Sequence, residues 1–261
     1  MHVTLEAVIL TSVMATAMVV ALYTAYNMVE AQVQAVDFNN AKNLVKYLAE
    51  AIEQLAAGSG GARYVRFPLV KGAPEYRADA GVLHVYVYDG SSWVEVLNDT
   101  YDVFMYRGGE LATTPEEVVR PELAPEIRDE LVVELSDPVV VVYTARMRGR
   151  PYVVLEAARV RAGYLGVYSV GRAFEEEKYH VYMLEYIRLV VGNITGTESA
   201  VVVAENAGAS VRLLTLQGVE LRLMVERDGQ STTVTLTPGD PGAASSSCLL
   251  IRVVEVRVRG P

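Results

Sequence analysis

Three histidines, one cysteine and two Asn-X-Thr triplets are the side chains from which this 261-residue chain would have to build a chemical site. His2, His84 and His180 share no spacing that sets two imidazoles on one metal ion, and HExxH, CxxC and EF-hand patterns are absent. His84 alternates with Tyr86 and Tyr88, so a solvated or ring-stacked imidazole is expected there. Cys248 lies between Ser245-Ser246-Ser247 and an apolar run, where a buried inert thiol is expected, with an intermolecular disulfide as the alternative. No Ser-His-Asp grouping can be drawn from so few histidines. No catalytic residue, metal or cofactor is therefore expected, and the chain does not read as an enzyme. Gly58-Ser59-Gly60-Gly61 follows a helical pattern instead of opening one, which makes it a cap and hinge and not a phosphate loop. Glu175-Glu176-Glu177 reads as a solvated charge run. Asn98-Asp99-Thr100 and Asn193-Ile194-Thr195 match the acceptor pattern for N-glycosylation.

The elements that carry these groups are bounded by composition. Hydrophobic residues make up 51% of the chain and the mean hydropathy is +0.22, enough apolar content for a large core. A disordered chain would combine low hydrophobicity with high net charge. A disulfide scaffold is excluded by the single Cys. Lys and Arg number 23 against 32 Asp and Glu, for a net charge of −9 and a pI near 5.0. That balance argues against nucleic acid as a partner, because such binding needs clustered cations to neutralise phosphates. Four Lys stand against nineteen Arg and only twelve Asn plus Gln, a mix that points to a heat-adapted source.

Residues 7–29 hold no charged side chain. As a helix they would reach about 34 Å, against about 30 Å for a bilayer core. A secretory signal would begin with a basic flank, but this run is preceded by Met1, His2, Val3, Thr4, Leu5 and Glu6. The reading is that a leader has already been removed, or that the helix is retained as an anchor. Residues 5–56 contain neither Gly nor Pro, which predicts one rod of about 78 Å. After Val29 the pattern turns amphipathic. Val33, Val36, Ala41, Leu44, Val45, Leu48, Ile52 and Leu55 form a stripe, with Lys42, Lys46, Glu50 and Glu53 on the remaining surface and Lys46 one turn from Glu50. Such a stripe calls for a partner such as a β-sheet. In the apolar half, Ala15, Ala17, Ala21 and Ala25, together with Ser12 and Thr11, Thr16 and Thr24, are small enough for helix backbones to approach closely.

From Ala62 onward β-branched residues and Tyr dominate. Alternation and apolar runs predict strands at 82–88, 93–97, 139–143, 152–160, 164–170, 181–191, 200–204, 211–216, 219–225, 232–236 and 249–258. Asp89-Gly90 and Asp228-Gly229 mark hairpin turns. The final strand sets Val254, Val256 and Val258 against Glu255, Arg257 and Arg259, charges that would blunt an open edge. Residues 112–130, with three prolines, read as a long loop or short helix. The fold class is α+β: a long N-terminal helix (1–57) followed by a β-rich globular head (62–261) of β-sandwich type, with a division into two lobes near 171–178 left open.

Thr4-Leu5-Glu6 ahead of the apolar run, the unbroken helix, Phe38-Asn39-Asn40-Ala41-Lys42-Asn43-Leu44 and Gly61-Ala62-Arg63-Tyr64-Val65-Arg66-Phe67 together resemble a type IV pilin, in particular the archaeal-type filament subunits with a class III signal peptide. The likeness covers about 67 residues; beyond them the head is similar only in being β-rich. The resemblance implies a structural subunit of an extracellular filament that serves adhesion or another surface interaction. It also implies that a prepilin peptidase removes a short leader, that the helix waits in the membrane, and that an ATPase-driven assembly machinery stacks copies of the chain. Family members carry an acidic residue at the fifth mature position, thought to pair with a neighbour's N-terminal amine. Glu6 is fifth counted from His2 and sixth counted from Met1. As a residue by itself, Glu6 reads equally as a helix-end acid solvated at the headgroups. The alternative function is a single-pass, membrane-anchored surface protein that presents a β-sandwich for binding.

Overall fold

The computed structural model describes residues 2–58, 60–112, 115–122, 125–170 and 177–261, with the side chains of residues 2–6, 125–126 and 170 outside that description. The absence of helix breakers has the expected result: α1 runs unbroken over His2–Ala56. It ends where Gly58 takes a positive φ of 102°, a conformation open to Gly at little cost, as Ala57 N–H and Gly58 N–H donate to Glu53 O and Leu55 O.

Among the described residues thirteen strands follow. They are β1 (Ala62–Pro68), β2 (Ala73–Tyr88), β3 (Trp93–Arg107), β4 (Val118–Arg120) and β5 (Val132–Val133). Next come β6 (Val141–Met147), β7 (Arg150–Glu156), β8 (Val160–Val170) and β9 (Glu177–Val191). The last four are β10 (Ser199–Leu216), β11 (Leu221–Arg227), β12 (Gln230–Leu236) and β13 (Ser246–Arg259). They form two curled sheets, one ordered β1-β10-β13-β9-β8-β5 and the other β12-β11-β2-β3-β7-β6-β4. Both Asp-Gly turns form: Gly90 has a φ of 105°, and Asp228 and Gly229 close the β11–β12 hairpin at φ 50° and 85°.

Two apolar cores result. One lies between the sheets and includes Leu83, Val85, Val103, Leu223, Tyr182, Leu184 and Leu249. The other surrounds the second half of α1. On β9, Tyr182, Leu184 and Tyr186 belong to the first core and Ile187, Leu189 and Val191 to the second. The same change occurs on β13 between Ile251 and Val254. Alternate residues of a strand point to opposite faces, so one sheet meets its partner sheet on one face and the helix on the other. The helix touches β1, β10 and β13 of this sheet and β4, β6 and β7 of the other.

Several sequence expectations are corrected. The strands expected at 200–204 and 211–216 are one strand, β10, bent by a bulge between Asn206 and Gly208. The strand expected at 152–160 stops at Glu156 and resumes at Val160, because the chain there crosses from one sheet to the other. Arg159 sits fully buried in the crossing and donates to the carbonyls of Val139, Ile127 and Pro138. β13 is no edge. It lies between β10 and β9, parallel to β9, so its charges protect nothing. Residues 112–130 contain a short 3-10 helix at Pro125–Asp129 and the three-residue β4. As for a division near 171–178, residues 171–176 lie outside the described residues, and the strands on either side pair with each other from Val170 to Glu177 within one sheet.

Candidate assembly surface

The second half of α1 is seated by the expected apolar stripe from Ala41 onward, with Leu44 packed against it, and the departure is confined to Val33 and Val36. Phe38, Ala41, Val45, Leu48, Ala49, Ile52, Leu55 and Ala56 are buried. Each large side chain removed from water contributes about 1.5–3 kcal/mol. Val33 and Val36, assigned to the same stripe from sequence, are 42% and 61% exposed. Gln34 and Asp37 are buried in their place, because the head reaches this level only as loops whose backbone needs polar partners: Gln34 Oε1 accepts from Leu111 N–H at 2.7 Å. The loop comes that close because residues 108 and 109 are Gly. A Cβ on Gly108 would stand 2.5 Å from the Phe38 ring, and one on Gly109 would stand 2.3 Å from Gln34 Oε1.

A network of charged groups locks the helix end. Glu53 Oε1 accepts from Val139 N–H at 2.5 Å and Val140 N–H at 2.8 Å, the two amides just before β6 begins at Val141. Glu53 Oε2 pairs with Arg161 at 2.9 Å, Arg161 with Glu185 at 3.0 Å, and Glu185 with Arg252 at 2.7 Å. Arg252 then donates to Ala56 O at 2.6 Å, and Asn206 Nδ2 donates to Leu55 O at 2.9 Å. The network starts and ends on α1, and its cation stabilises the negative end of the helix dipole. Sequence placed Glu53 on the charged outer surface; it is instead the head's main polar grip on the helix. Lys46 pairs with Glu122 at 2.6 Å, Glu50 lies 3.9 Å from Arg120, and Lys42 pairs with Glu117 at 2.6 Å. The segment around β4 has drawn these partners off the helix's own surface.

The first half of α1 carries no such cover. Every residue from Ala7 to Tyr26 is exposed. The helix is long and apolar enough to cross a membrane. The hydroxyls of Thr11, Thr16 and Thr24 donate to the carbonyls of Ala7, Ser12 and Val20 at 2.9, 2.9 and 2.7 Å. Their polar atoms are thereby satisfied within the helix and their methyls are left outward, a feature the count of small residues did not reveal. Ala17, Ala21 and Ala25 share one face at successive steps of four residues, beside a shallow depression formed by Ser12, Val13, Thr16 and Ala17. Ala15 stands about 160° round the helix from Ala17. The four alanines therefore serve two faces, not one. The Glu6 side chain lies outside the described residues.

The remaining candidates are dispersed. Asn98 is exposed on β3 and Asn193 is exposed between β9 and β10. His84 pairs with Glu95 at 2.8 Å and stacks on Tyr86. His180 is buried, with Nδ1 3.1 Å from the Tyr164 hydroxyl. Cys248 is a half-buried free thiol whose pKa is raised by burial. Among the described residues no group of three or more His, Cys, Asp or Glu is arranged to hold a metal ion. No family model, curated protein or solved structure matches the chain.

Proposed function

We propose that the chain is a structural subunit of a type IV pilus-like extracellular filament, held in the membrane before assembly by the first half of α1 and joined to other copies through the same surface. One observation carries this reading. A single unbroken helix is packed into the head over its second half and left bare and apolar over its first. In a bilayer the bare segment is surrounded by hydrocarbon. In an extruded filament only neighbouring helices can replace it, and the hydrophobic effect then holds the core together. Partners on this reading are other copies of the chain, the membrane, a prepilin peptidase and the assembly machinery, with Asn98 and Asn193 as surface acceptors for glycan.

Negative-stain microscopy of sheared cell-surface material, with the chain identified in the fibres by antibody labelling, tests the proposal. Fibres that carry the label support it. Recovery of the chain only from detergent-extracted membrane, never from fibres, overturns it and leaves the membrane-anchored binding protein as the reading. The closed Thr hydroxyls suit that second reading equally, since a permanent lipid environment makes the same demand on them.

A further inference from the structure

We propose that the underside of the head is a membrane-docking collar: three loop tips around the emerging helix insert apolar side chains at the lipid headgroup boundary while neighbouring cations meet lipid phosphates. The inference rests on the membrane-held state described above and goes beyond it, since an inserted helix could equally hold its head clear of the bilayer.

The loops are β1–β2 and β3–β4, each with an exposed apolar residue, and the β6–β7 turn, which is preceded by one at the last position of β6. These are Val70 at 59% exposure, Leu111 at 44% and Met147 at 36%. Isolated exposed apolar residues are ordinary on a protein surface; three at separate loop tips around the exit of a bare apolar helix form one site. Their level along α1 is set by direct contacts. Lys71, next to Val70, pairs at 2.8 Å with Glu30, the first charged residue after the apolar run. Leu111 N–H is held by Gln34, five residues beyond Val29 or about 7.5 Å along the axis. Arg150, just past the β6–β7 turn, pairs with Glu110 beside Leu111. A bilayer with a hydrocarbon core of about 30 Å and a full thickness of about 40–45 Å leaves roughly 5–7 Å of headgroup on each side. With the apolar run filling the core, the collar stands at headgroup level.

Charge agrees with that placement. Lys71, Arg107, Arg146, Arg148 and Arg150 stand among Glu30, Glu75, Glu110 and Glu116 on these loops and the adjoining strand and helix ends. Lys71, Arg107 and Arg150 are paired with Glu30, Glu75 and Glu110, and Glu117 with Lys42. Among the described residues Arg146 and Arg148, on either side of Met147, are exposed with no carboxylate in an ion pair. Such a mixture of basic and apolar groups favours an anionic lipid surface over water or a neutral one.

The test uses the full-length chain reconstituted in vesicles of phosphatidylcholine and phosphatidylglycerol, part of the lipid brominated near the headgroup end of the acyl chain. In a Trp93→Phe background, a single tryptophan is placed by Met147→Trp, by Val70→Trp, or by Leu213→Trp. Leu213 is exposed far up β10 from Ser199, the residue paired with Pro68 at the collar end. Both collar tryptophans should shift to the blue and lose more than about half their emission to brominated lipid, while Leu213→Trp should respond only to aqueous iodide. Arg148→Glu should weaken the quenching in anionic vesicles and leave it unchanged in pure phosphatidylcholine. Collar tryptophans as open to iodide as Leu213→Trp, in a chain that floats with the vesicles, overturn the collar and spare the membrane reading. A chain that fails to float overturns both. Shielding that develops only in fibres, and not in vesicles, overturns the lipid partner and assigns the collar to a neighbouring subunit.

Discussion

Glu53 joins the helix to the head more firmly than any other charged residue of α1. Its carboxylate takes two backbone amides and the Arg161 guanidinium, with Arg120 3.9 Å away, while only 13% of the side chain is exposed. Glu53→Gln should therefore lower the stability of the head by about 2 kcal/mol, because the two backbone amides lose a charged acceptor and Arg161 is left with Glu185 as its one carboxylate. Glu50→Gln, 3.9 Å from Arg120 and more exposed, should shift the denaturant midpoint by less than about 0.5 kcal/mol equivalent. Equal losses in urea titrations of the two variants would remove Glu53 from that role. Glu6→Gln belongs to assembly and not to folding: fibre yield at matched expression should fall if Glu6 pairs with a neighbour's amine, and equal yields would leave the acid solvated at the headgroups. The tyrosines predict alkaline behaviour. Burial pushes Tyr143 and Tyr182 up to about 12 and raises Tyr101, Tyr106 and Tyr186 still further, whereas an unfolded tyrosine titrates near 10.0. Between these values the unfolded chain releases protons that the folded chain keeps, so stability present below pH 10 is lost as pH rises towards 12. Desolvation lowers Arg159 to about 10, which acts in the opposite direction, but one group opposes five. Urea midpoints should fall between about pH 9 and about pH 11.5, with ultraviolet absorption showing these tyrosines ionise only as the chain unfolds.

On α1, apolar side chains serve two separate purposes. From Phe38 onward they fill a groove in the head, where a volume change strains a packed core; before Val29 they cover a bare rod, where a volume change alters only what can approach it. Replacing both Ala17 and Ala21 with Leu should leave membrane insertion and the melting of the head unchanged, since Leu is a good helix former and suits hydrocarbon. The same pair should reduce fibre yield at least about tenfold, because added methyls hold neighbouring helices apart on the face where these alanines lie. Normal fibre yield with both replaced would show that this face is not a helix contact. Ala15, on the other side of the rod, provides an independent probe of a second contact.

At the scale of the whole molecule, folding and assembly are divided along one helix. The head is complete once Glu30 and the residues after it are present, because the described contacts of the head with α1 begin at Glu30 and its apolar core at Phe38. A chain begun at Glu30 should therefore fold with a denaturant midpoint within about 0.5 kcal/mol of the full chain, sediment as a monomer and fail to float with vesicles. Loss of cooperative unfolding in the shortened chain would show that the bare rod is part of the folded unit. Fibres formed by it would show that heads alone drive assembly.

Local chemistry alone settled the extent of the helix, since no Gly or Pro interrupts residues 5–56 and Gly58 ends it. It also settled the apolar half, both Asp-Gly hairpins and the β-rich class of the head. These features depend on backbone freedom and on side chains a few residues apart. The seating of the helix did not. Periodicity shows that apolar residues recur, but not whether Val33 and Val36 or Gln34 and Phe38 will meet the head; the reach of loops 69–72 and 108–112 decided that. The grip of Glu53 was hidden for the same reason: Arg161 is 108 residues away in sequence, and Glu185 and Arg252 lie further still. The central place of β13 also rests on pairing with β9 and β10, strands well removed from it in sequence. Interactions between distant segments depend on which surfaces the fold brings together, so they became visible only in the tertiary structure.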